Sequence, residues 1–167
     1  MLRHILGLLA IVALVSSSLG ADGGWVIRED GVGPAKVGMT LAQLRSILNE
    51  RLKEEDSGSD ACWYVTSAKH PHTSFMILGG HFVRADVTAR GIPTTDGIQV
   101  GDLEAAVRTK YGYSVKIEPH KYIDDGHYLT IRSSDRKYGI RFETEKGKIT
   151  SFYAGLFSAI QYVEGCE

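Results

Sequence analysis

Leucines at positions 41, 44, 48 and 52 recur at spacings of three and four with charged residues between them, the period of a helix with one buried face. Thr40 and Gln43 stand three apart just before that run. They form a capping-box pair, in which the threonine oxygen takes an orphan amide and the glutamine reaches back. The stretch from Glu50 to Gly58 is polar and acidic and predicts a loop. Cys62–Thr66, Phe75–Leu78 and Phe82–Val87 are apolar and β-branched or aromatic, and they predict strands. Gly79-Gly80 between the last two permits the positive φ values of a tight hairpin turn. Gly91 to Thr95, with Pro93, reads as a link. A second helix then follows, capped by Asp102, burying Val107 and Tyr111 and stopping at Gly112. Val115 and Ile117 open a strand that Pro119 interrupts. His127–Arg132, Tyr138–Glu143 and Lys148–Tyr153 make a meander. Within it Tyr138, Ile140 and Phe142 share one face while Arg141 and Glu143 take the other, so one face packs and the other is wet. Ile160–Val163 predicts a last short strand.

The order of these elements occurs twice. Ala35-Lys36-Val37-Gly38-Met39 opens the first set and Ile98-Gln99-Val100-Gly101-Asp102 the second, at an offset of 63; Phe75 and Gly80 correspond to Phe142 and Gly147 at an offset of 67. One loop insertion accounts for the difference. The expected fold is therefore α+β: two tandem repeats, each a helical segment packed on an antiparallel β-meander, together forming one continuous sheet. Residues 21–91 make the first repeat and 92–167 the second, which also carries the C-terminal strand.

Residues 1–20 read as a signal peptide, with Arg3, an apolar run from Ile5 to Val15, then Ser16, Ser17 and Ser18. Cleavage after Gly20 puts small side chains, Ser18 and Gly20, where signal peptidase needs them. The apolar run is short for a membrane span. The expected location is exported, periplasmic or secreted, with no integral membrane segment in the mature chain. The two cysteines, Cys62 and Cys166, both follow the leader, and an even pair in an oxidising compartment is most simply a disulfide; free thiols are the other reading. With 19 Lys and Arg against 20 Asp and Glu and no basic stripe, the chain lacks the clustered cations that nucleic acid requires.

The residues Val37-Gly38-Met39-Thr40 with Leu44 and Leu48, echoed by Val100-Gly101 with Val107 and Tyr111, give a layout that resembles the fold shared by the secreted β-lactamase inhibitory proteins and the small lipoproteins of the outer-membrane barrel-assembly machinery. The resemblance implies helices packed on antiparallel sheets, with two units side by side in a long concave sheet. It implies no binding residues. The inhibitors carry a disulfide within each unit and the lipoproteins begin at a lipidated cysteine, and this chain has neither pattern.

The densest polar segment runs from Glu118 to His127. His120, Asp124 and His127 are candidate zinc ligands or acid–base groups, since imidazole and carboxylate serve both roles. Asp124-Asp125-Gly126 is equally ordinary turn chemistry. His70 and His72, with His81, form a second, weaker cluster that reads as a solvated loop or a surface metal site. No phosphate loop, nucleophile elbow or Cys-x-x-Cys occurs, and the sequence calls for no cofactor. Tyr64, Tyr128 and Tyr153 lie on predicted strands at wet-face positions and are candidates for a protein-binding surface; as core residues they would instead bury their rings against the helices. The functional expectation is an exported, non-catalytic protein-binding module, an inhibitor of a secreted or periplasmic enzyme or an envelope-assembly factor. The alternative is a metal-binding protein or hydrolase using His120 and His127.

Overall fold

The computed structural model describes residues 24–166; the leader and its cleavage position lie outside them. The elements, in chain order, are β1 (Ile27–Arg28), β2 (Gly31–Val32), β3 (Ala35–Lys36), α1 (Leu41–Leu48), β4 (Lys53–Ser59), β5 (Cys62–Thr66), β6 (Thr73–Leu78), β7 (His81–Val87), α2 (Glu104–Tyr111), β8 (Lys116–Pro119), β9 (His127–Arg132), β10 (Tyr138–Glu145) and β11 (Lys148–Leu156). The class is α+β. The first three strands form a small antiparallel sheet, and the other eight form a large one in the order β4-β5-β6-β7-β11-β10-β9-β8. No described helix is long and apolar enough to cross a membrane.

Helix α1 begins as its sequence predicts: Thr40 Oγ1 accepts from the Gln43 amide at 3.3 Å and Gln43 Oε1 accepts from the Thr40 amide at 2.9 Å. Leu44 and Leu48 point into the core, with Leu52 beyond the helix end. Helix α2 starts differently. Its N-cap position is Leu103, without a side-chain cap, because the Asp102 carboxylate is taken by the Gln99 amide at 3.0 Å and by Arg90 at 2.9 Å.

Each helix is hung on the sheet by the same trio of backbone bonds. Gly38 N–H donates to Phe82 O, Phe82 N–H to Met39 O and Leu41 N–H to Gly80 O, at 2.8, 2.8 and 3.3 Å. In the second half Gly101 N–H donates to Ile149 O, Ile149 N–H to Asp102 O and Glu104 N–H to Gly147 O, at 2.8, 2.9 and 2.9 Å. The hairpins match as well. Gly79 and Gly80 take φ of +55° and +80°, and Lys146 and Gly147 take +49° and +75°, the left-handed pair that suits a two-residue turn between twisted strands. The pairing of β6 with β7 slips between Met76 and Ile77, and that of β10 with β11 between Glu143 and Thr144.

The core lies between the large sheet and the two helices with the small sheet. Val65, Phe75, Phe82 and Val87 from one half meet Leu129, Phe142, Ile149 and Phe152 from the other, all fully buried. α2 is also tied down by a polar anchor. Glu104, buried at its first turn, takes hydrogen bonds from Arg108 and Thr144, and His127 Nδ1 lies 2.9 Å away. Burial raises the Glu104 pKa, but the bonds from Arg108, His127 and Thr144 outweigh burial and hold it below the ordinary value of 4.5. A carboxyl depressed in the folded state adds stability above its unfolded pKa and loses it as pH falls through the folded value. Glu104→Gln is therefore expected to lower stability by about 1–3 kcal/mol at neutral pH and by clearly less in acid. Urea midpoints of both proteins at pH 7 and about pH 3 check this; equal losses at the two would refute the charge-based anchor.

Three expectations are corrected here. Residues 53–59, all but the last within the predicted loop, form edge strand β4, which pairs with β5 through a register irregularity between Glu54 and Gly58. A polar strand at an edge is read as a loop because it has little apolar pattern, and polarity is what keeps such an edge from pairing with other chains. Ile160–Val163 is not a strand. Ala159–Gln161 is a single 3-10 turn and the chain then runs to Cys166 across the sheet, whose two edges are already β4 and β8. The face opposite the helices is consequently only partly wet.

Candidate functional site

Strand pairing lines up one transverse row of eight polar side chains on that second face: Lys53, Thr66, Ser74, Asp86, Tyr153, Arg141, Thr130 and Lys116. Alternation dictates it, since each residue's strand neighbours face the core. The row has two characters. Lys53 is exposed and Thr66, Ser74 and Asp86 are half-buried, whereas Tyr153, Arg141 and Thr130 are buried.

The C-terminal segment covers part of this face and acts as a strap. Ala159 and Ile160 are buried against it, and Gly139 is what lets Ile160 approach: a Cβ there would stand 2.8 Å from Ile160 Cδ1 and 2.6 Å from the Ile131 carbonyl oxygen. Two arginines hold the strap from below. Arg84, 3% exposed, donates to the carbonyls of Ala159 at 3.1 Å and Tyr162 at 2.6 Å. The same guanidinium grips Asp86 through two bonds of 2.7 and 2.6 Å, donates to the Tyr64 hydroxyl at 2.7 Å and lies 4.2 Å over the Tyr153 ring. Arg141 donates to Thr130 Oγ1 at 2.9 Å and to the Gln161 amide oxygen. Lys121 pairs with Glu164 at 2.7 Å, and the Cys62–Cys166 disulfide pins the end.

The loop from His120 to Gly126 closes the rest of the second-half face. At the other edge of the sheet, β4 and β5 are joined by only two residues, Asp60-Ala61. Inside the loop the Tyr122 amide donates to His120 Nδ1 at 3.1 Å, which places the imidazole proton on Nε2. The ring stacks on Tyr128 at 4.4 Å between centroids. His120 Nε2 is buried without a hydrogen-bond partner, and it faces Glu143 Oε2 at 3.7 Å. Glu143 in turn accepts from Tyr153 Oη at 3.0 Å and from Ser151 Oγ at 3.1 Å.

A cleft of about 250 Å³ opens beside the strap, lined by Tyr64, Asp86, Glu143, Ser151, Tyr153 and Glu164 among others. Burial, and then the charge of Glu143, push the Tyr153 hydroxyl up; burial and the charge of Asp86 do the same to Tyr64. Both phenols therefore stay protonated and act as donors to the carboxylates.

The candidate residues are thus distributed as follows. Tyr64, Tyr128 and Tyr153 do lie on the second face, but they are not its exposed anchors: Tyr128 and Tyr153 are buried and Tyr64 half-buried, because the strap and the 120–126 loop fold over them. His120 and His127 face different neighbours, Glu143 and Glu104. Among the described residues no group of three or more His, Cys, Asp and Glu side chains is placed to hold a metal, so His120, Asp124 and His127 are not gathered. Of the other histidines, His70 stacks on Trp25 at 3.6 Å and His81 Nδ1 sits 3.0 Å from the Gly79 carbonyl oxygen. Sequence reading missed Arg84, Asp86 and Glu143. An arginine two residues from an aspartate on an apolar strand was the available signal, since a charge in such a run faces either solvent or a built polar site.

Comparison with protein-family models, with curated proteins and with solved structures found no match to this chain.

Proposed function

We propose that the chain is an exported protein-binding module, built from two copies of one helix-on-meander unit, and that the open half of the second sheet face is its docking surface. The observation that carries this reading is the transverse polar row. Its positions are set by strand register, and in the open half Ser74 is held by Glu55 and Asp86 by Arg84 and Tyr64 before any partner arrives, so docking forfeits little conformational entropy there. The duplication draws support from the matching hydrogen-bond trios, turns and register slips at the offsets of the sequence repeat. Export draws support from the leader pattern together with the disulfide. The roles that suit such a module are inhibition of a secreted or periplasmic enzyme and assistance in envelope assembly.

The test uses protein purified from its exported fraction as immobilised bait in bacterial envelope extract, beside a Ser74→Arg variant that plants a long cation in the middle of the open row. A partner held by the wild type and lost from the variant is the expected result. A partner held equally by both would remove the face from the proposal, and no partner at micromolar bait would count against protein binding altogether.

A further inference from the structure

The cleft beside the strap holds one carboxylate that, among the described residues, no lysine or arginine contacts directly. Asp86 is matched by Arg84 and Glu164 by Lys121. Glu143 is different. Its side chain is 20% exposed, its two oxygens accept only from the neutral hydroxyls of Tyr153 and Ser151, and among the described residues no lysine or arginine nitrogen comes within 4.0 Å of it. A half-buried carboxylate is costly unless a cation or a full set of donors meets it.

His120 gives the second, independent indication. Its side chain is 6% exposed, its Nε2 has no hydrogen-bond partner, and it faces Glu143 Oε2 from the loop side at 3.7 Å, beyond hydrogen-bond range. A donor that stops short leaves the negative charge under-compensated from within the fold. The remaining approach is from the cleft, where Tyr64 and Tyr153 supply aromatic walls.

We infer that the cleft is a recognition site for a basic side chain, an ammonium or guanidinium group on a lysine- or arginine-bearing segment of a protein partner, inserted between the strap and the sheet to pair with Glu143. This rests on the protein-binding reading above and gives that partner its chemistry. Charge complementarity selects the occupant: of the carboxylates lining the cleft, Asp86 is paired with Arg84 and Glu164 with Lys121, which leaves Glu143 as the one without a lysine or arginine contact among the described residues. The neighbouring row position of Ser74 gives the segment carrying the cation a flat polar surface to lie on.

The experiment is a titration of the isotope-labelled protein with a ten-residue oligolysine and, separately, a ten-residue oligoglutamate, followed by amide shifts. Saturable shifts centred on Asp86, Ser151 and Tyr153 are expected with oligolysine and none there with oligoglutamate. Glu143→Gln, which removes the charge and leaves one oxygen to accept from Tyr153 while its amide can donate to Ser151, should weaken oligolysine binding about tenfold, the equivalent of about 1.4 kcal/mol. Glu54→Gln, on the exposed edge and paired with Arg45, should change it less than about twofold. Ser151→Arg, which supplies a tethered cation, should block the cleft. Equal weakening by Glu143→Gln and Glu54→Gln, or shifts centred away from the cleft, would overturn the site. If Glu143→Gln still captures the envelope partner while Ser74→Arg loses it, the cleft proposal fails and the docking-surface proposal stands.

Discussion

Reduction of the Cys62–Cys166 bridge is expected to destabilise the protein by roughly 4–5 kcal/mol. The two cysteines are separated by 104 positions, so the bridge closes most of the chain into one loop, and breaking it returns that loop's closure entropy to the denatured state. The native geometry adds a second reason. The bridge fastens the end of the strap to β5, and beside it lies a cleft of about 370 Å³ lined by Cys62, Leu78 and the strap residues Tyr162 to Cys166, so little packing replaces it when it opens. Urea denaturation with and without a dithiol reductant measures the effect, and a double Cys62→Ala/Cys166→Ala variant separates it from reductant chemistry. A loss below about 1 kcal/mol in both would show that the buried arginines alone hold the strap and that the denatured chain is already constrained.

Arg84→Met should cost about 3–5 kcal/mol although the change is from a charged side chain to an apolar one of similar length. The guanidinium is buried and makes bonds to Asp86, Tyr64, Ala159 and Tyr162, so its removal leaves Asp86 without its cation and strands two carbonyl oxygens, while the Tyr64 hydroxyl keeps its bond to Asp86. The strap should also loosen. Accelerated proteolysis after Tyr162 in the folded variant, alongside a lower urea midpoint, is the expected pair of results. An unchanged cleavage rate would mean that Ala159 and Ile160 hold the segment by packing alone. The two perturbations act on one segment, and their effects should not add.

Much of the architecture was legible because it is local. The leucine spacing of α1, its Thr40–Gln43 cap and the Gly79-Gly80 turn each depend on residues within a few positions of one another, and the structure has them as expected. Asp102 shows where locality ends. It looks like a cap, but Arg90 and the Gln99 amide reach its carboxylate first, and Arg90 is twelve positions away. The β4 edge was illegible for a related reason: its place in the sheet comes from the ladder with β5, and its own composition of Lys53, Glu54 and Glu55 carries no strand signal.

The tyrosines teach the same lesson at the candidate site. Alternation assigns Tyr64, Tyr128 and Tyr153 to the face opposite the core, and that assignment holds. Whether such a face meets water depends on what returns to cover it. Ten residues at the C-terminus and the loop around His120 do so, and neither carries a pattern that announces its destination. His120 and His127 likewise sit close in sequence and turn to different neighbours, because the hairpin between them sends one toward Glu143 and the other toward Glu104.

The chain's own order of residues was enough to establish the α+β class, the start of α1 and the end of α2, the central hairpins and the cysteine pairing, since each follows from periodicity, from turn chemistry or from there being just two thiols to join. The exposure of the second face, the burial of Arg84 and the lack, among the described residues, of a lysine or arginine contact to Glu143 arise only when strands distant in sequence are brought side by side and the strap is drawn across them. Such properties belong to pairs of residues that no short window contains, and their energies depend on how much water the finished fold excludes.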